Sequence, residues 1–271
     1  MNTPLIDSRN TIFYKRAFLC IVCLLCPYLA AAPNIEFTLV EKRPHNPNAF
    51  TQGLFIENDM FYESSGLYQR SFVTRYPINA LASKDSPMIP ALKQSLPAPY
   101  FAEGLALHDN QLYLLTWMEK TLFILAKDTL KPIKTMAYEG QGWGLTSDGT
   151  HLIRSDGSST LFFHRPDNFS VVKQLLVTDK SIPIDQINEL EYANGYIWAN
   201  LWHSDTIIQI DPANGKVIGE VNLSEIESSL NITDSESVLN GIAWDEKRQG
   251  FWVTGKRWPA LFLIRLTPTE S

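Results

Sequence analysis

The sequence predicts an all-β fold, a five-bladed β-propeller, and three observations carry that prediction. A short phrase recurs five times along the chain. Each copy opens an apolar run that alternates at period two and is broken by Gly, Asn and Asp turns, the pattern of antiparallel hairpins. A sustained helical period is missing, with Leu223–Leu230 the best short helical candidate.

The phrase reads Gln52-Gly53-Leu54, Glu103-Gly104-Leu105, Trp143-Gly144-Leu145 and Asn240-Gly241-Ile242, with a further, degenerate copy, fourth in chain order, at Glu189-Leu190-Glu191-Tyr192. With Leu190 set against the repeated glycine, successive copies lie 51, 40, 46 and 51 residues apart. Polar turns follow the copies, Glu57-Asn58-Asp59, His108-Asp109-Asn110 and Ser147-Asp148-Gly149 among them. Apolar-alternating runs such as Met60–Ser64 and Leu112–Thr116 come next. Each repeat has a second half of the same type, as in Thr206–Asp211 followed by a Pro-Ala-Asn-Gly turn. Units of roughly 40–50 residues with about four strands each are propeller blades. A β-sandwich and a six-bladed ring are the competing architectures, and five regular repeats disfavour the sandwich. Ile35–Lys42, ahead of the first blade, is expected to pair with the last strand, Leu261–Leu266, closing the ring and removing a sheet edge.

Residues 1–32 read as an address, and residues 33–271 as the propeller domain. Lys15 and Arg16 precede an apolar run from Ala17 to Leu29 that ends in Ala30-Ala31-Ala32. A basic flank, a short apolar stretch and a small-residue end describe a secretory signal peptide. The stretch is short of the roughly 20 apolar residues a spanning helix needs. An uncleaved N-terminal anchor is the alternative, and only then would the chain meet a membrane. The expected location is the periplasm or the extracellular space.

Composition narrows the chemistry. The chain has 271 residues with 23 Lys+Arg, 29 Asp+Glu and a net charge of −6. Removing Arg9, Lys15, Arg16 and Asp7 with the leader takes the net to −8. An acidic protein lacks the basic face that neutralises phosphates, so no nucleic-acid partner is expected. All three cysteines, Cys20, Cys23 and Cys26, fall in the leader, which excludes a disulfide scaffold and a cysteine nucleophile from the body. The five histidines sit in polar or turn contexts without ligand spacing, so a His-based zinc site is not expected, and no cofactor is expected. Neither a phosphate-cradling glycine loop nor a Gly-x-Ser-x-Gly elbow is present.

In a propeller the innermost strands converge on the central channel. The variable position of the phrase therefore samples that channel from five directions, with Gln52, Glu103, Trp143, Glu189 and Asn240. Different groups at equivalent positions suggest an asymmetric pocket. Trp143, between two glycines, is a candidate wall. Trp198, Trp244 and Trp252 read instead as packing between blades.

The phrases as a set closely resemble the glutamine cyclotransferase family, the plant- and bacterial-type glutaminyl-peptide cyclotransferases. The resemblance rests on Phe50-Thr51-Gln52-Gly53-Leu54, Phe101-Ala102-Glu103-Gly104-Leu105, Leu115-Thr116-Trp117 and Gly142–Gly149. It continues through Asn188–Tyr192, Leu239–Ala243 and Val253–Pro259, in register from about residue 37 onward. It implies a five-bladed, monomeric, metal-independent transferase that converts the N-terminal glutamine of peptides or proteins to pyroglutamate with release of ammonia. By the same resemblance Glu103 is the catalytic general acid and base, with Glu189 the second candidate. Gln52 and Asn188 bind the substrate's amide or α-amine, Lys256 a substrate carbonyl, and Phe50, Phe101, Trp117, Trp143 and Trp202 form the pocket wall. The rival readings are a non-catalytic ligand-binding propeller and a lactonase-like hydrolase. The hydrolase needs a carboxylate-rich metal site that the channel positions do not supply.

Overall fold

The copies of the phrase become the innermost strands of five four-stranded antiparallel sheets. The structure, a computed structural model, describes Met1, residues 32–79 and residues 91–267. The leader, save its two end residues, lies outside the described residues. Ala31–Ser271 form one compact unit. Blade one comprises β2 (Thr51–Glu57), β3 (Met60–Ser65), β4 (Phe72–Pro77) and β5 (Leu92–Ser95), preceded by β1 (Phe37–Pro44). Blade two comprises β6 (Ala102–His108), β7 (Gln111–Thr116), β8 (Thr121–Ala126) and β9 (Pro132–Ala137). Blade three comprises β10 (Leu145–Ser147), β11 (Leu152–Arg154), β12 (Thr160–His164) and β13 (Val171–Leu176). A small hairpin, β14 (Thr178–Asp179) and β15 (Ile182–Pro183), leads to blade four. That blade holds β16 (Ile187–Ala193), β17 (Tyr196–Leu201), β18 (Thr206–Ile210) and β19 (Val217–Asn222). After helix α1 (Ser224–Ser228), β20 (Leu239–Asp245), β21 (Gly250–Gly255) and β22 (Ala260–Leu266) build blade five.

Ring closure follows the expected pairing. β1 runs antiparallel to β22 from Phe37 opposite Leu266 to Pro44 opposite Ala260, so the two ends of the propeller share one sheet. The inner hairpins turn where the sequence placed them. Asn58-Asp59 and Asp109-Asn110 both have positive φ at each position, the backbone of a type I′ turn, which Asn and Asp tolerate well. α1 occupies the middle of Leu223–Leu230 and buries Ile226.

The repeated glycine has a packing cause. A Cβ on Gly53 would lie 2.5 Å from the Leu105 nitrogen, one on Gly104 2.3 Å from the Leu145 nitrogen, and one on Gly144 2.1 Å from the Asn188 carbonyl oxygen. Each glycine thus lets its inner strand touch the inner strand of the next blade.

The degenerate copy needs a one-residue correction. In blades two, four and five a bulge sets two inner-strand residues against one: Glu103-Gly104, Asn188-Glu189 and Asn240-Gly241. Asn188, and not Glu189, is therefore the equivalent of Glu103, and Glu189 stands at the glycine position. There the chain carries a carboxylate in place of a bare backbone. It accepts the Leu54 N–H at 3.2 Å and the Ile242 N–H at 2.9 Å, tying blade four to the inner strands of blades one and five.

The core is divided into five apolar seams, one between each pair of neighbouring blades. Trp198 and the fully buried Trp252 fill two of them, and Trp244 packs against the seam of blades four and five. Full burial of such side chains contributes about 1.5–3 kcal/mol each. Three of the histidines are buried, each with a polar partner: His45 on Glu63, His108 on Ser147 and His164 beside Arg154.

Candidate active site

The bulges aim side chains from the inner strands into a single cavity of about 340 Å³ at one end of the channel. The nine residues that the resemblance assigns to the site all line it: Phe50, Gln52, Phe101, Glu103, Trp117, Trp143, Asn188, Trp202 and Lys256; Asn240, the fifth of the channel positions, does not. Glu189, the second carboxylate candidate, does not, because its oxygens are taken by the backbone N–H groups of blades one and five.

Aromatic rings form most of the wall. Phe50 meets Phe101 edge-on at 6.3 Å, Phe101 meets Trp117 at 5.6 Å, and Trp143 meets Trp202 at 5.6 Å with the planes at 89°. Edge-to-face pairs of this kind add about 0.5–1.5 kcal/mol beyond their burial and hold the rings in fixed orientations. Blade five closes the circle with Lys256 and Arg257, whose charged groups each lie 5.0 Å from the centre of the Phe50 ring.

The polar groups are few and deeply set. Glu103 and Lys256 are each 5% exposed, Gln52 and Asn188 2%. Backbone contacts fix their strands: Ser64 Oγ donates to the Glu103 carbonyl at 2.6 Å, and Ser155 Oγ to the Asn188 carbonyl at 2.6 Å. Asn240 Nδ2 donates to the Thr51 carbonyl at 2.8 Å and to Gln52 Oε1 at 3.2 Å, which leaves the Gln52 NH2 group free to donate into the cavity. Burial pushes the Glu103 carboxyl well above the usual carboxylate range. Lys256 pulls the other way, and the Glu119 charge adds to the rise. Burial lowers the Lys256 ammonium, while Glu103 and Glu236 hold it up. A carboxyl whose pKa burial raises shares a largely apolar pocket with a buried lysine. That arrangement suits proton transfer to an uncharged leaving group.

The sequence model of the glutamine cyclotransferase family matches residues 17–266. The chain belongs to that family. It is 37% identical over 240 residues to a glutaminyl-peptide cyclotransferase of Arabidopsis thaliana, covering 87% of this chain and 73% of the relative. It also superposes on the crystal structure of Myxococcus xanthus glutaminyl cyclase with a TM-score of 0.81 at 37% identity, covering 88% of this chain and 100% of that one.

The cavity has further lining residues that the sequence left without a role: Leu67, Glu236 and Arg257. Leu67 holds φ of 95°, a conformation rare for a branched side chain, and its carbonyl accepts from Ser71 Oγ at 2.8 Å. The phrase Gly66-Leu67-Tyr68 and the Arg beside Lys256 were the available signals. Lys256 is buried and is not a surface lysine. Among the described residues no group of three or more His, Cys, Asp or Glu is placed to hold a metal ion.

Proposed function

We propose that this cavity closes the N-terminal glutamine of a peptide or protein into pyroglutamate, with Glu103 carrying the proton. The observation that supports it is a buried carboxyl and a buried lysine set together inside an aromatic wall. The glutamine folds back so that its α-nitrogen meets its own Cδ. Because both partners belong to one residue, holding that conformer supplies much of the rate enhancement. The Nα–Cδ bond forms, and negative charge develops on the side-chain oxygen, where the Gln52 NH2 group donates a hydrogen bond. The Cδ–Nε2 bond then breaks. One proton has to pass from the attacking nitrogen to the departing one, and Glu103 gives a proton to the leaving nitrogen and takes one from the ring nitrogen.

The raised Glu103 pKa serves this transfer. A free α-amine titrates at about 7.7–8.0, far above an ordinary glutamate. Moving the carboxyl upward narrows the gap and makes exchange in both directions accessible. Asn188 holds the α-amine, Lys256 donates to the main-chain carbonyl of the substrate's glutamine, and the aromatic wall excludes water.

The deciding measurement is ammonia release from a short Gln-initiated peptide. Glu103→Gln should fold and turn over at least about 100-fold more slowly, the lower range for a lost general acid–base group. Near-normal turnover would remove Glu103 from the role. A chelator should leave wild-type turnover unchanged, and full inhibition would point to a metal-dependent reaction. We further propose that the chain is exported through residues 1–32 and acts as a monomer. The mass of the protein recovered from an exporting host and its sedimentation coefficient test these two points.

A further inference from the structure

We infer that Gln141 is a positioning residue that sets the spacing of the substrate pocket by holding two of its indoles with one carboxamide oxygen. Gln141 Oε1 accepts the Trp117 indole N–H at 2.9 Å and the Trp143 indole N–H at 3.0 Å. A carboxamide oxygen has two lone pairs, so both bonds can be made at once. Trp117 follows the second strand of blade two, whereas Trp143 precedes the first strand of blade three. The one oxygen therefore spans a seam between blades, and the two walls of the cavity are tied to a common point.

The segment carrying Gln141 is itself anchored. The Arg154 guanidinium, 2% exposed, donates to the Gln141 carbonyl oxygen, and its Nε contacts His164 Nε2 at 3.2 Å. The Gly142 N–H donates to the Trp117 carbonyl at 3.0 Å. Glycine is required there, because a Cβ would lie 2.2 Å from the Tyr138 hydroxyl. The run Gly140-Gln141-Gly142-Trp143-Gly144 keeps its backbone bare and leaves Gln141 and Trp143, two residues apart, to form the hydrogen bond. Gln141 does not line the cavity itself. It acts through the indoles, on how well the glutamine side chain is held, and leaves the proton path through Glu103 untouched. The inference rests on the reading of this cavity as the glutamine site.

The test is steady-state kinetics of ammonia release by the full chain, with Gln141→Met beside the paired change Trp117→Phe/Trp143→Phe. Methionine matches the length of glutamine and lacks its strong acceptor, and phenylalanine keeps a ring in the wall while removing the N–H donor. Loss of two hydrogen bonds of ordinary strength should lower the melting temperature by roughly 2–12 °C, and with both indoles released KM should rise roughly 10-fold with kcat within about 3-fold. The Phe pair should show a similar rise. Adding Gln141→Met to the Phe pair should then have no further effect, because the donors it served are gone. A wild-type KM for Gln141→Met overturns the inference, as does a full KM penalty that persists in the Phe background. Should Gln141→Met fail to fold, the Phe pair alone decides, and an unchanged KM there overturns it. Absence of ammonia release by the wild type would instead overturn the reading of the cavity.

Discussion

Lys256 and Glu103 face one another's charge from blades five and two inside the same pocket, and each moves the other's protonation. The lysine favours the carboxylate, and the carboxylate favours the ammonium, against burial that opposes both. A third residue, Glu119, acts on Glu103 with the opposite sign.

These two neighbours predict opposite shifts in the pH profile. Removing the cation in Lys256→Met should raise the Glu103 pKa further, so the limb of kcat/KM that reports this group moves to higher pH. Removing the anion in Glu119→Gln should move the same limb to lower pH. The profile of kcat/KM reports groups of the free enzyme, so substrate binding does not confound the comparison. Shifts in the same direction, or none, would show that the limb belongs to another group.

His45 and Glu63 predict a second pH dependence, in stability. His45 Nδ1 lies 2.8 Å from the Trp258 carbonyl oxygen and Nε2 3.0 Å from Glu63 Oε1, with both side chains buried. A ring with acceptors on both nitrogens is best satisfied as the imidazolium. Burial would lower the His45 pKa, but the Glu63 charge and hydrogen bond overcome it and leave it raised above 6.5. Glu63 likewise ends below 4.5 despite its burial, held down by His45, Thr51 and Tyr76. The stabilisation from His45 is complete below 6.5 and is lost as pH rises through its raised folded-state pKa. That from Glu63 is complete above 4.5 and is lost as pH falls through its lowered one. His45→Gln leaves a buried carboxylate without its cation, which costs about 3–5 kcal/mol. The melting temperature should drop by roughly 6–20 °C, with the largest gap from wild type between pH 4.5 and 6.5. A gap that stays constant from pH 5 to 9 would show that the pair is not ionised.

How much of this was legible depended on where the cause lies in the chain. The repeated glycine was readable because Gly53, Gly104 and Gly144 meet the same obstacle, the inner strand of the next blade, and so leave the same mark. The ring closure was readable from apolar alternation at both ends. The phase of the fourth copy was not, because Asn188 and Glu189 are both polar and only the bulge decides which one faces the pocket. Gly255-Lys256-Arg257-Trp258-Pro259 resembles a solvated turn in sequence. In the fold Trp258 is fully buried, its indole N–H donates to the Ser237 carbonyl at 2.8 Å, and the turn is drawn inward with Lys256. Gln141 left no trace, since its two partners sit on different blades, one of them 24 residues away.

The shifted fourth copy yields the last prediction, which separates two buried glutamates by their work. Glu189 spends both oxygens on backbone N–H groups of blades one and five, in a part of the channel 1% exposed. Glu189→Ala orphans both donors at about 1–3 kcal/mol each. At 2–4 °C per kcal/mol, the loss is roughly 4–24 °C in melting temperature. Glu189→Gln keeps one acceptor oxygen and should fall between Ala and wild type. Because the cavity does not touch this side chain, kcat/KM of folded Glu189→Gln should stay within a few-fold of wild type, while Glu103→Gln loses at least about 100-fold with its melting temperature little changed. Calorimetry and ammonia release on the same preparations give both numbers. A Glu189→Gln enzyme that melts like wild type yet has lost its turnover would make Glu189 a second catalytic carboxylate and reverse the assignment drawn from the bulge.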